Sequence, residues 1–175
     1  MSKSMVLSGP MSALRSRFGD REAIRRMAKA GFDAVDYTFN EMVSDDCVWN
    51  TPRWEEYGKE LLTLARDQGV FFNQAHAPFL FDWDHEWLTP AFETNILPKI
   101  HQSFRCAALL GIPRIVVHPI HHIRYRGNQA MLWDWNQEYY HRILELGKEC
   151  GVQIALENMW QTDPLRGCGD SDVFS

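Results

Sequence analysis

Ile154-Ala155-Leu156-Glu157-Asn158-Met159-Trp160 is a short apolar run that ends on a carboxylate and an amide. It reads as a buried strand that delivers Glu157 at its C-terminal end. Two earlier stretches have the same form. Phe71-Phe72-Asn73-Gln74-Ala75-His76-Ala77-Pro78 delivers His76, and Ile115-Val116-Val117-His118-Pro119 delivers His118. Imidazole and carboxylate are metal-type ligands, and three strands ending in them point to one shared site at one end of a sheet.

An internal repeat surrounds these strands. Gly31, Gly69, Gly111 and Gly151 lie 38, 42 and 40 residues apart, each after an amphipathic helical pattern and before an apolar run. Glycine suits the left-handed position just past a helix end, where a Cβ would clash. The repeat unit is therefore helix, glycine stop, strand. The strands are expected at residues 5–7, 34–37, 70–75, 115–117 and 154–156. Asp20, Thr51-Pro52 and Thr89-Pro90 read as helix starts, and Pro98 should kink or split the helix it falls in. The last helix carries Leu132, Trp135, Tyr139, Ile143, Leu146 and Cys150 on one side. Strand–helix–strand units at this spacing imply right-handed crossovers and a parallel sheet.

The expected fold class is α/β, a parallel (β/α) TIM-barrel type, with residues 1–175 forming one partial barrel of about five βα units. A closed eight-unit barrel takes about 250 residues, and at this period roughly 300. The Gly167-Cys168-Gly169-Asp170 stretch reads as the loop before a fifth helix. A doubly wound open sheet competes, but no G-x-G-x-x-G follows the first strand.

Composition narrows the function classes. The net charge of −5 gives no general attraction to nucleic acid or anionic lipid. No run of 18 apolar residues is present, so no membrane span is expected. Cys47, Cys106, Cys150 and Cys168 show no C-x-x-C spacing and read as reduced thiols of a cytoplasmic protein.

Taken together and in order, His76-Ala77-Pro78, Val116-Val117-His118-Pro119 and Leu156-Glu157-Asn158 resemble the N-terminal portion of the xylose isomerase-like barrel superfamily. That group includes sugar phosphate isomerases/epimerases and the endonuclease IV type of AP endonuclease. Gly31-Phe32-Asp33-Ala34-Val35-Asp36 is similar to the family's second strand, where Glu is commoner than Asp. The resemblance implies that Glu157 corresponds to the fifth-strand Glu that holds a divalent cation (Mn2+, Mg2+, Co2+ or Zn2+) in the isomerases. The remaining ligands of those enzymes come from strands six to eight, beyond Ser175. His76 and His118 correspond to zinc positions in the endonucleases and to substrate contacts in the isomerases.

These resemblances imply a metal-dependent sugar or sugar phosphate isomerase/epimerase acting on a small sugar or polyol. Glu157 would be catalytic and a ligand, His76 and His118 would serve metal and substrate, and Trp160 would contact substrate. A zinc nuclease acting at abasic sites is the rival enzyme, and a fragment with an inactive half-site is the rival non-enzyme. Other readings are plainer. Glu157 could be an incidental ion pair, and His76 or His118 a hydrogen-bonded sheet cap. His121 and His122 complete an H-x-x-H-H pattern but read as a solvated loop. Trp83 and Trp87 read as packing under loops, and Asp82, Asp84 and His85 form no specific pattern. Two open sheet edges would favour self-association into a homo-oligomer.

Overall fold

Five parallel strands pair in chain order: β1 (Ser8–Pro10), β2 (Ala34–Thr38), β3 (Phe71–His76), β4 (Arg114–Val117) and β5 (Gln153–Leu156). The computed structural model describes residues 5–121, 123, 126–163 and 168–171. The side chains of Asp84 and of residues 160–163 and 168–171 lie outside that description. The connecting helices are α1 (Ser12–Phe18), α2 (Asp20–Lys29), α3 (Trp54–Asp67), α4 (Trp83–Glu86), α5 (Leu97–Leu109) and α6 (Gln129–Cys150). An antiparallel pair, β6 (Trp160–Asp163) and β7 (Cys168–Ser171), stands where the sequence reads as a loop before a further helix. Among the described residues no helix is long and apolar enough to cross a membrane. Cys47, Cys106 and Cys150 are free thiols.

The repeat is physical. Gly31, Gly69, Gly111 and Gly151 all have positive φ, between 68° and 87°, as the left-handed stop after α2, α3, α5 and α6 requires. Each stop turns the chain back into the sheet at the same end, so the strands enter and leave at matched levels. One sheet face and the helices share a core. Val35, Tyr37, Phe72, Ala75, Ile115 and Val117 are buried with Ile24, Leu61, Phe104 and Ile143 from the helices. Burying side chains of this kind stabilises the fold by about 1.5–3 kcal/mol each. By the alternation of strand side chains, Asp36, Gln74, His76, Val116, Ala155 and the residues just past the strand ends face the other way, toward the barrel interior.

Three local details differ from the sequence reading. The first strand lies at Ser8–Pro10, because residues 5–7 precede the pairing: the Leu7 carbonyl accepts from the Asp33 and Ala34 amides, and the Leu7 amide donates to Asp33 Oδ2. Asp20 starts α2 but does not cap it. Its carboxylate turns inward, 2.6 Å from Arg15 Nε, and accepts hydrogen bonds from the Tyr37 and Tyr57 hydroxyls. Thr51 Oγ1 accepts from the Arg53 amide and donates to the Val48 carbonyl, closing a 3-10 turn, and α3 starts only at Trp54. Pro98 acts as expected. It has no N–H for the Thr94 carbonyl, and the helix passes through a π turn, Phe92–Ile96, immediately before α5.

The loop after β4 is tied to α6 by Asn136, which is fully buried. Its Oδ1 accepts from the Ile120 amide at 2.7 Å, and its Nδ2 donates to the carbonyls of Ile120 (2.9 Å) and Leu132 (2.8 Å). Asn136→Ala leaves the buried amide and carbonyl of Ile120 unpaired, at about 1–3 kcal/mol each. Urea unfolding should show a loss of that size, against a change within about 0.5 kcal/mol for Gln137→Ala on the exposed face. Equal midpoints for the two variants would mean that Asn136 does not hold the loop.

Candidate functional site

His76 ends β3, while His118 and Glu157 directly follow β4 and β5. His76 pairs with Val116 and Val116 with Ala155, so His118 and Glu157 each stand two residues beyond the level of His76 on the same face. Pro78 and Pro119 follow the histidines and have no amide donor to continue a ladder. The result is convergence. Glu157 Oε2 lies 3.0 Å from His118 Nε2 and 3.6 Å from His76 Nε2. One ligand atom from each residue falls within 4.8 Å of the others.

The donors are poorly satisfied by the protein itself. Both ring nitrogens of His118 and Oε2 of Glu157 are buried and make no hydrogen bond, since the 3.0 Å approach between them lacks hydrogen-bond alignment. A buried polar atom without a partner is costly, and three such atoms together at strand ends fit a place where an ion could bind. Two imidazoles and a carboxylate with unpaired lone pairs fit a divalent cation of the Mn2+ to Zn2+ series. The Glu157 side chain as a whole is 43% exposed, so the site is open on one side.

His76 and His118 are held differently. His76 Nδ1 is 3.2 Å from Asp36 Oδ1, and Asp36 Oδ2 accepts from Gln74 Nε2 at 3.0 Å. The hydrogen bond to Asp36 raises the pKa of His76 above the ordinary histidine value, against the opposing effect of burial and with help from the charges of Asp36 and Glu157. Burial dominates at His118 and lowers its pKa, against the attraction of Glu157. The His118 ring stacks on Phe79, with centroids 4.1 Å apart and planes inclined by 25°. Asn40 fixes Phe79 in turn, its Oδ1 accepting from the amides of Phe79 and Leu80 at 3.1 Å each.

These groups line a cleft of about 510 Å³ together with Pro10, Ser12, Thr38 and Glu41. Its size suits a small-molecule ligand. The remaining residues singled out in the sequence lie elsewhere or serve packing. Trp83 and Trp87 are buried in an aromatic cluster with Phe92 and Tyr139. His85 pairs locally with Asp82 on the surface, and the side chain of Asp84 is outside the described ones. His121 Nδ1 lies 2.9 Å from the Pro119 carbonyl, its ring 6.4 Å from that of His118. Trp160 opens β6, but its side chain and all of His122 lie outside the described residues. Gln74, Asn40, Glu41 and Phe79 escaped sequence reasoning because nothing local marks them. Asp36 carried the same signal as Glu157, a carboxylate in an apolar strand.

The comparisons with known proteins agree with the fold. An uncharacterized protein of Mycobacterium leprae (strain TN), ML2432, is 29% identical over 139 residues, which cover 79% of this chain and 41% of that protein. A D-tagatose 3-epimerase-like protein has a similar structure, with TM-score 0.61 and 20% identity over 90% of this chain and 54% of its own. An AP endonuclease, family 2, from Brucella melitensis is similar at TM-score 0.59 and 13% identity, covering 89% of this chain and 56% of its own. The chain thus spans about half the length of the structures it matches, and less of the curated relative. The family model described as xylose isomerase-like TIM barrel matches residues 24–171. With its parallel strands in barrel order and that match over most of its length, the chain belongs to the xylose isomerase-like TIM barrel family.

Proposed function

We propose that this chain carries part of the active site of a metal-dependent sugar isomerase or epimerase, with His76, His118 and Glu157 as ligands to one divalent cation. The observation that supports it is the convergence of three buried or half-buried donors, several without hydrogen-bond partners, at the C-terminal end of adjacent parallel strands. Active sites of barrel enzymes lie at that end. When bound, the cation would polarise a sugar carbonyl and make the neighbouring C–H more acidic. Glu157 has one carboxylate oxygen buried against the histidines, and its exposed side is available to take and return that proton. Phe79 forms a flat wall beside His118. Glu41 and Glu157 give the cleft acceptors for sugar hydroxyl groups. Trp160 is assigned to the substrate side by position in the chain. The enzyme would work in the cytoplasm.

A zinc nuclease would use the same histidines. The net charge of −5 argues against it, since DNA binding rests on neutralising phosphates with basic residues.

Glu157→Gln keeps the shape of the side chain and removes its charge. Calorimetry with Mn2+, Mg2+ and Zn2+ should show binding to the wild-type chain and none to the variant. Identical titrations would remove Glu157 from the site.

Cation binding should also depend on pH with a definite sign. A cation must displace the proton from His76 Nε2, and the Asp36 hydrogen bond holds that proton to a higher pH than in an ordinary histidine. Affinity should therefore fall as pH falls, with the loss beginning above the ordinary histidine value of about 6.5. His118, whose pKa is lowered, should add a further loss only at more acidic pH. A Kd independent of pH between 8 and 5 would exclude both histidines as ligands.

A further inference from the structure

Opposite Asp36 the two central strands do not run in simple register. Val35 pairs with Phe72, but Asp36 pairs with Gln74, so Asn73 is an extra residue in β3. Bulges of this kind are rare between parallel strands and re-aim the side chains that follow. Burial along β3 shows the effect. Phe72 and Ala75 are buried in the core, while Asn73 and Gln74 are adjacent in sequence and both only half-buried. Asn73 is hydrogen bonded to Ser8, whose hydroxyl donates to its Oδ1 at 2.8 Å. Without the extra residue, Asp36 would pair with Asn73, and Gln74 and His76 would point to the opposite face from Asp36. With it, Asp36, Gln74 and His76 share the interior face.

On that face both Asp36 oxygens are used. Oδ1 faces His76 Nδ1 at 3.2 Å and Oδ2 accepts from Gln74 Nε2 at 3.0 Å. A carboxylate has no proton to give, so the Asp36 contact requires a proton on His76 Nδ1. That leaves the Nε2 lone pair of the neutral ring, and Nε2 is the atom on the Glu157 side. The carboxylate of Asp36 is itself held from two sides by groups of β3, so it cannot turn away without losing both contacts.

We infer that Asp36, brought onto the face of His76 by the bulge in β3 and clamped by Gln74, is the positioning residue that fixes His76 as its Nδ1–H tautomer with Nε2 aimed at the cation site. The inference rests on the metal reading of that site for its purpose, but its structural content does not. The neutral imidazole of a free histidine favours the Nε2–H form, so a locked Nδ1–H form is a signature that mere packing would not produce.

The test has two arms. In the metal-free wild-type chain above the titration range of His76, 15N NMR of the labelled imidazole should find the proton on Nδ1. Asp36→Ala should return His76 to the Nε2–H form, and Asp36→Asn, which keeps the shape, guards against a variant that does not fold. The Asn oxygen can still accept from Nδ1, so Asp36→Asn should keep the tautomer but weaken the lock. Mn2+ and Zn2+ affinities should fall about 10- to 100-fold in Asp36→Ala and less in Asp36→Asn. A wild-type His76 with its proton on Nε2, or an unchanged tautomer in Asp36→Ala, overturns the inference. If the tautomer behaves as stated and no cation binds even the wild-type chain, the positioning role stands and the metal reading fails.

Discussion

The arrangement of this chain depends on a cost at one point. Three buried atoms, the ring nitrogens of His118 and Oε2 of Glu157, have no hydrogen-bond partner within the described protein. Leaving such an atom unpaired costs about 1–3 kcal/mol, so the surrounding fold must hold the two side chains in place against their tendency to turn toward water. His118 is held by the stacked ring of Phe79. Phe79 is held by the Asn40 side chain, which joins the segment after β2 to the segment after β3. The level of Glu157 is set by the pairing of β5 with β4. Each of these supports lies outside the three residues themselves, so the side chains stay converged at the strand ends.

Below the cleft a second polar cluster is satisfied throughout. Arg15 is 5% exposed. It reaches Asp20 at 2.6 Å, the Thr38 carbonyl at 2.7 Å and Glu41 at 2.8 Å. Asp20 also accepts from Tyr37 and Tyr57, and the Tyr37 hydroxyl accepts from Trp49 Nε1 at 2.9 Å. Removing one member of a buried ion pair costs more than the pair contributes, because the other charge is left stranded. The contrast is informative. The same fold that pairs the groups around Arg15 leaves three atoms of His118 and Glu157 without hydrogen-bond partners in the cleft.

The repeat and the strand ends were legible because they rest on local rules. A glycine with positive φ after each helix and a polar ligand after each apolar run show directly in the residue order, and they place His76, His118 and Glu157 at one end of the sheet. What the sequence did not show depends on pairing. Residues 5–7 are apolar enough for a strand, yet the pairing partners of Ala34 and Val35 are Ser8 and Gly9. Asp20 has the composition of a helix cap, but Arg15, Tyr37 and Tyr57 outcompete the helix amides for its oxygens. The extra residue at Asn73 leaves no mark in composition. Phe71-Phe72-Asn73-Gln74-Ala75-His76 reads equally well in either register, and only the neighbouring strand decides which side chains share a face.

That register also bears on how the proposed cleft would divide its labour. Asp36 lies on the cleft wall and is a carboxylate, so by type alone it could serve as a fourth ligand. Its two oxygens already face partners, one His76 and one Gln74, so a cation on Asp36 would compete with the contacts that position His76. On the proposed reading the ligand atoms come from His76, His118 and Glu157, at and just past the ends of β3, β4 and β5. A cation held by such a set has its protein contacts on one side, and its remaining positions face the open side of Glu157. Catalytic metal sites keep such positions for water or substrate, whereas structural sites close them. The bulge at Asn73 thus separates two roles for similar carboxylates. It turns Asp36 into a support for His76 and leaves Glu157, beyond the end of β5, as the carboxylate that can meet a ligand.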